Sequence, residues 1–388
     1  MRFLILNAHY NEFLRWFYGE YPNLEQQPYV EQLRALDNSL SGLADFYPVN
    51  LRRLGHEAWN VWVNNEFAQK AWGKEHGVRT GRSREWRFRL RRGLVPWVSR
   101  IQVSAWFYNV LAAQIDYHKP DVLLNMETGL ISTAFLRGVK GRSLLIGWAN
   151  PGILTYQYYL IPYRQQLRQD WSIYDFLLAP QEGMVDHFNG LGIRTELLRH
   201  AFEPRILSTM RRCPEKTTSV SFVGLLNGGG YKKRRELLEI LCARMTDDIS
   251  VWASSCDGIP PESAIRRRHR GHAWGQDLYQ ITANSKIALN CHSELEEQFA
   301  GNKRLFDATG LGTLLITDRS KNLHKIFEPG KEVATYGDVS ECLELVRYYL
   351  DHDEEREAVA RAGQRRTLEQ HTYYQRMQEL VDITQKYL

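Results

Sequence analysis

Short apolar runs that alternate with helical stretches predict an α/β chain built on two doubly wound parallel sheets that share a cleft. Three observations carry that expectation. Runs such as Phe3-Leu4-Ile5-Leu6 are apolar throughout and end in polar loops, as strands buried on both faces do. The strand–helix alternation stops near residue 200 and restarts at Val220. The chain has 388 residues, a length that suits two to three domains.

The first run ends at Asn7-Ala8-His9, a polar loop after a strand. Residues 29–47 are expected to be helical, and 51–58 to be a helix stopped by Gly55. Trp59 to Val63, Asp121 to Asn125, Ser143 to Trp148, Tyr174 to Ala179 and Arg194 to Leu198 read as the remaining strands of the first sheet. Residues 205–217 are polar and read as a linker. Val220 to Gly224, Ser250 to Ala253, Ile287 to Asn290 and Thr313 to Thr317 read as strands of a second sheet. Leu343, Val346, Leu350 and Val359 fall at helical spacing in the tail. The expected organisation is a Rossmann-like domain over 1–200, a second over 201–365, and a terminal helix over 366–388.

Composition narrows the classes. Hydrophobic residues are 43 % and charged residues 24 %, which is globular and neither disordered nor fibrous. No apolar run approaches the ~18 residues of a membrane span. The opening MRFLILNAHYNEF has too short an apolar run for a secretory leader, so a cytoplasmic protein is expected. The five cysteines are scattered and never C-x-x-C, which argues against a disulfide framework or a zinc site. A net charge of +5 suits a polyanionic ligand or an acidic membrane surface without requiring either. Glycine fingerprints for dinucleotides, the P-loop, H-E-x-x-H and G-x-S-x-G are all absent.

Two segments suit a diphosphate-bearing ligand. Gly224 is followed by Asn227-Gly228-Gly229-Gly230, then Lys232-Lys233-Arg234-Arg235 opens a helix. A glycine turn lets backbone N–H groups approach an anion, and the helix start and basic side chains add positive charge. A surface loop before a solvated basic helix is the plainer alternative. In Gly301-Asn302-Lys303-Arg304-Leu305-Phe306-Asp307, Asn302 can cap a helix, and Arg304 and Asp307 share one face at i,i+3. Asp307 can accept from ribose hydroxyls and Arg304 can approach a diphosphate; a surface ion pair is the alternative.

The stretch from Asn302 to Tyr336, with Leu198-Arg199-His200-Ala201-Phe202-Glu203-Pro204 and the tail 347–373, resembles GT-B glycosyltransferases, most closely their CgeB-like (spore-maturation-protein-like) family 1 branch. The resemblance covers most of 120–380. It implies a GT-B fold, a nucleoside-diphosphate sugar held by the second domain, an acceptor in the first, and a last helix that crosses back. It also implies transfer without a metal or other cofactor. The family commonly has Glu where this chain has Asp307, and the E-x7-E pattern of retaining relatives is missing because position 299 is Phe. Retention and inversion both stay open.

An inverting transferase needs a base beside the acceptor hydroxyl. His9, after the first strand, and Glu127, after the third, are the candidates; a loop histidine and a capping carboxylate are the alternatives. His200 lies at the hinge, where it can touch the donor or only cap the junction. Trp274, in His272-Ala273-Trp274-Gly275, can stack on a nucleobase or simply fill core. Arg79, Arg82, Arg84, Arg87, Arg89, Arg91 and Arg92, with Trp86 and Phe88 among them, suit an acidic lipid surface, an anionic glycan or nucleic acid, or else a solvated helix face. The leading expectation is a cytoplasmic glycosyltransferase, peripheral at the membrane's inner face through that run. It would move a sugar to a glycan, lipid-linked or other glycoconjugate acceptor, with no nucleic acid involved. A nucleic-acid-binding protein and a non-catalytic sugar-nucleotide sensor are the other two readings.

Overall fold

The computed structural model describes residues 1–91, 95–104, 106–149, 170–211, 215–227, 230–245, 248–296 and 298–388, with the backbone alone for 82–91, 95–104 and Leu295. In chain order its strands are β1 (Arg2–Asn7), β2 (Glu57–Trp62), β3 (Arg82–Arg91), β4 (Val95–Ser104), β5 (Val122–Asn125), β6 (Leu144–Trp148) and β7 (Phe176–Ala179). They continue as β8 (Thr195–Leu197), β9 (Thr218–Val223), β10 (Ile249–Trp252), β11 (Ser285–Leu289), β12 (Leu314–Asp318) and β13 (Ala334–Tyr336).

Two parallel sheets result, ordered β2-β1-β5-β6-β7-β8 and β10-β9-β11-β12-β13. Phe3, Leu4, Ile5 and Leu6 are all 0 % exposed, because helices cover both faces of the first sheet. Burying each such side chain contributes about 1.5–3 kcal/mol, and the register Leu4↔Trp59 and Leu4↔Leu123 holds the run between two parallel neighbours.

Several expectations change. Residues 29–47 are not one helix: Tyr29–Asn38 ends at a turn where Leu40 (φ 56), Gly42 (φ 65) and Ala44 (φ 39) are left-handed, and Phe46–Arg53 begins anew. Left-handed backbone cannot continue a right-handed helix. Ala58 belongs to β2, since Gly55 (φ 83) stops the helix earlier. The linker contains a short helix, Ile206–Thr209. β13, only Ala-Thr-Tyr, was too short to show in the sequence. The arginine-rich segment is β3, paired antiparallel with β4 as a separate two-stranded sheet, so it is no helix face. Alternating Trp86 and Phe88 favour the strand. Arg92 and the side chains of Arg82 to Arg91 lie outside the described residues, and the polyanion-binding expectation lies there with them.

The chain end returns to the first sheet. Helix Asp353–Gln370 stops at His371, and Tyr373–Gln385 starts with a capping box between Thr372 and Gln375. Phe202 brackets this break, donating to His371 O and accepting from Tyr373 N, both at 2.9 Å. Tyr373 then packs on Phe46 at 5.2 Å between ring centroids, and Tyr387 stacks on Phe176 at 4.2 Å. One apolar core therefore runs from Phe3 and Ile5 through Phe202 to Phe306 and Leu315.

Candidate active site

Each sheet has a point where the strand order reverses, and ligands of such sheets bind in the crevice at the strands' carboxyl ends there. In the first sheet this point lies between β1 and β5, and in the second between β9 and β11.

The first crevice has an asparagine at the end of each flanking strand. Asn7 Oδ1 accepts from Ala8 N at 3.0 Å, and Asn125 Oδ1 accepts from Glu127 N at 3.0 Å. His9 follows, its backbone clasped by Asn64: N donates to Oδ1 at 3.1 Å and O accepts from Nδ2 at 2.7 Å. The imidazole stacks on Trp62, with centroids 3.7 Å apart, and tilts against Phe13 at 4.7 Å. It is 7 % exposed, and its Nε2 has no partner. Burial drives its pKa down to about 3, so the imidazole is neutral at cellular pH. Glu127 moves the other way. Burial raises its carboxyl to about 7, a rise that the Ala8 N–H opposes. His9 and Glu127 thus meet around Ala8, one held neutral and one titrating near pH 7.

The second crevice differs from the diphosphate cradle expected there. The Gly224 amide already donates to Trp252 O at 3.0 Å, and a Cβ on Gly224 would stand 3.0 Å from the Phe222 ring. Close packing, not an open anion nest, accounts for that glycine. Gly228 and Gly229 lie outside the described residues. The amides of Lys232 and Lys233 are capped by the Glu294 carboxylate at 3.3 and 2.8 Å, which occupies the positive helix start. Arg234 is 8 % exposed; it donates to Cys291 O at 3.1 and 2.6 Å and to Leu225 O at 2.8 Å. It braces two loops rather than facing the cleft.

Asn302 caps as expected, its Oδ1 accepting from Leu305 N at 3.3 Å, and its Nδ2 reaches Asn290 Oδ1 at 3.2 Å. Arg304 and Asp307 do share a face, 3.4 Å apart, on helix Arg304–Gly310. Asp307, however, is 2 % exposed, and its other oxygen takes Lys303 Nζ at 2.7 Å. Lys303 also donates to the Tyr279 hydroxyl at 2.9 Å. Burial opposes the ammonium's charge, but Asp307 and Tyr279 outweigh it and hold the pKa up. A ribose would have to displace this network to reach Asp307.

His200 sits at the hinge as expected, 5.4 Å from the Trp148 ring, with Nδ1 unpartnered. Burial, then Lys303 and Arg376, lower its pKa to about 4. Trp274 lies at the seam between the halves. It meets Phe13 at 5.8 Å, the same ring that touches His9, while Gln276 N donates to Ser39 O at 3.0 Å. A Cβ on Gly275 would stand 2.0 Å from Ser39 O, so glycine alone permits this approach. Trp274 packs edge-on against Phe13 and stays partly exposed.

Lys303, Asn290 and His292 were missed in the sequence. His292 Nδ1 lies 2.7 Å from Asp318 Oδ1; burial works against protonation, but the Asp318 hydrogen bond and charge raise the imidazole pKa. The available signal was position, since Asn290 to His292 leave the end of β11 beside the reversal point. Among the described residues no group of three His, Cys, Asp or Glu side chains is placed to hold a metal. No described helix is long and apolar enough to cross a membrane.

This paired-crevice architecture has counterparts among solved structures. Anabaena Alr3699/HepE in complex with UDP-glucose superposes with a TM-score of 0.59 at 11 % identity, covering 100 % of both chains. Sucrose-phosphate synthase from Thermosynechococcus elongatus gives 0.58 at 10 % identity, covering 100 % of this chain and 98 % of that one. The pneumococcal O-GlcNAc transferase GtfA, with UDP and GlcNAc, gives 0.55 at 10 % identity, covering 100 % and 99 %. The fold is GT-B. Residues 233–382 match the Glycosyl transferase-like family, so the GT-B half that carries Lys303 and Asp307 is glycosyl transferase-like in sequence as well. No curated protein matches the chain.

Proposed function

We propose that the protein is a metal-independent glycosyltransferase of the CgeB-like branch. It moves a sugar from a nucleoside-diphosphate donor, held by the second domain, to a glycan or lipid-linked acceptor in the first. The observation that carries this reading is the first crevice. Glu127, with a pKa of about 7, stands beside His9, whose buried Nε2 has no partner. A carboxylate that titrates near cellular pH is matched to accept a hydroxyl proton. The acceptor oxygen bonds to the anomeric carbon, the bond from that carbon to the diphosphate breaks, and the hydroxyl proton passes to Glu127. His9 Nε2 accepts from or orients the acceptor. Across the seam, Lys303 and Arg304 supply fixed positive charge near the leaving diphosphate, preorganised by Asp307 and Tyr279. The Glycosyl transferase-like match over 233–382 supports the donor assignment to the second domain.

The test is a melting-temperature screen against UDP-, GDP-, dTDP- and CMP-linked sugars and their free nucleotides, run in EDTA. Stabilisation by a nucleoside diphosphate that survives EDTA is expected. No shift with any of them would sink the donor reading, and a shift without turnover on any glycan acceptor would favour a sensor.

A further inference from the structure

Neither crevice uses the arginine-rich segment. Seven arginines fall within residues 79–92, with Glu85 as the one acid. The backbone there is a ribbon of two ten-residue strands, β3 and β4, paired antiparallel and hydrogen-bonded into neither parallel sheet. Successive strand residues alternate between faces, and directly opposite residues share one. Phe88↔Val98 and Leu90↔Pro96 therefore lie on one face with Trp86, and Arg87↔Ser99, Arg89↔Trp97 and Arg91↔Val95 lie on the other. Arg100, opposite Trp86, is the one charge on the first face over this half; Arg82 and Arg84 join that face nearer the root, where Arg82 pairs with Ser104. The half of the ribbon beyond Trp86 is thus apolar on one face and cationic on the other.

The root of the ribbon is fixed beside the first crevice. Arg79 O, just before β3, accepts from Asn109 Nδ2 at 3.2 Å. Asn109 belongs to helix Trp106–His118, which starts directly after β4. The Tyr108 hydroxyl of that helix accepts from Ser132 N at 3.0 Å, and Glu127 O, in the same loop as Ser132, accepts from Leu130 N at 2.9 Å. Tyr108 and Leu130 are 37 % and 42 % exposed, so apolar side chains flank the path from the root to the loop that carries Glu127. A two-stranded ribbon is marginally stable alone in water, and an apolar face on one calls for a cover. An acidic lipid surface answers both faces at once, with an acyl boundary for the face of Trp86, Phe88 and Leu90 and phosphates for the arginines. Nucleic acid answers the cationic face and leaves the Phe88, Val98, Leu90 and Pro96 face unmet.

We propose that the β3–β4 ribbon docks the protein on an anionic lipid surface and so presents a lipid-linked acceptor to the first crevice. The proposal rests on the transferase reading only for that acceptor. Cosedimentation of the full chain with lipid vesicles tests it. Binding to vesicles that contain phosphatidylglycerol is expected, with binding to pure phosphatidylcholine at least ~10-fold weaker and a marked loss in ~0.5 M salt, which screens the arginines. Trp86→Ser with Phe88→Ser on one face, and separately Arg87→Gln with Arg89→Gln on the other, should each weaken binding roughly 10-fold at an unchanged melting temperature. Should the aromatic pair lower the melting temperature, the arginine pair must show the loss. Absence of binding to the anionic vesicles, equal binding to phosphatidylcholine, unaltered binding in the folded variants, or tighter binding to single-stranded RNA than to the vesicles would overturn the proposal. If vesicles bind while every nucleoside diphosphate fails to stabilise the protein, the transferase reading falls and the docking ribbon remains.

Discussion

At the end of β1, His9 keeps a buried nitrogen with no partner, and Glu127, which the Ala8 N–H reaches, is half-buried with no cation against it among the described residues. At the end of β9 and β11 the opposite holds. Arg234 is filled by backbone carbonyls, Lys303 by Asp307 and Tyr279, and the helix start at Lys232 by Glu294. The two crevices occupy equivalent places in similar sheets, and each keeps a buried histidine nitrogen without a partner, His9 Nε2 in the first and His292 Nε2 in the second; what differs is that the cations of the second are answered from within. An unmet buried hydrogen-bonding group costs about 1–3 kcal/mol, and such a cost persists where a ligand is to meet it. A matched network holds charge rigidly, which suits a leaving group that needs a fixed counter-charge. On the proposed reading, proton transfer belongs to the first crevice and charge stabilisation to the second.

The largest effect that can break this division is at Glu127. Glu127→Gln should lower turnover roughly 10²–10⁴-fold and leave donor affinity unchanged. In the parent protein the rate should fall tenfold per pH unit below about 7, where the base becomes protonated, and that limb should vanish in the variant. If neither Glu127→Gln nor His9→Gln slows transfer tenfold, the proton goes to the leaving diphosphate instead.

Asp307→Asn comes next. The expectation from sequence alone is weaker donor binding with folding intact. The buried contact with Lys303 points to a loss of about 3–5 kcal/mol in urea unfolding, because the ammonium is left without its counter-charge. Weaker donor binding at unchanged stability would restore the ribose role and break the contrast between crevices. Arg234→Met should cost roughly 1–3 kcal/mol in the same measurement, since the Cys291 and Leu225 carbonyls lose their donor.

The smallest effects belong to the histidines. His9→Phe removes an unmet polar group from an aromatic cage and should be neutral or stabilising by about 1 kcal/mol, while transfer slows. A clear drop in melting temperature would show that His9 holds the loop together. His9 titrates at about 3, and His118, His200 and His371 at about 4, all below the ordinary 6.5. Between those values and 6.5 the unfolded histidines bind more protons, so their contribution to stability falls as pH drops through that window, against the opposite contribution of Glu127 and Asp37, whose raised carboxyls take up protons in the folded state. Unfolding in urea at pH 7, 5.5 and 4.5 measures it.

Phe3 to Leu6 and Leu314 to Ile316 declared themselves as buried strands in the sequence, because both faces of a parallel sheet are covered and such runs are apolar throughout. Asn302 as a cap and Arg304 with Asp307 on one face were legible too, since capping and i,i+3 spacing are local. So was the placing of His9 and Glu127 past strand ends. The depth of each group was not legible. Asp307 became part of a buried ion pair because Tyr279 and Lys303 close over it, and Arg234 became a brace because Cys291, distant in sequence, brings its carbonyl there. Desolvation depends on what surrounds a group in all directions, and those neighbours come from far along the chain. Local pattern therefore determined the strands and the candidate residues. Tertiary packing alone decided which of those residues stay unmet, ready for a substrate, and which are already answered from within.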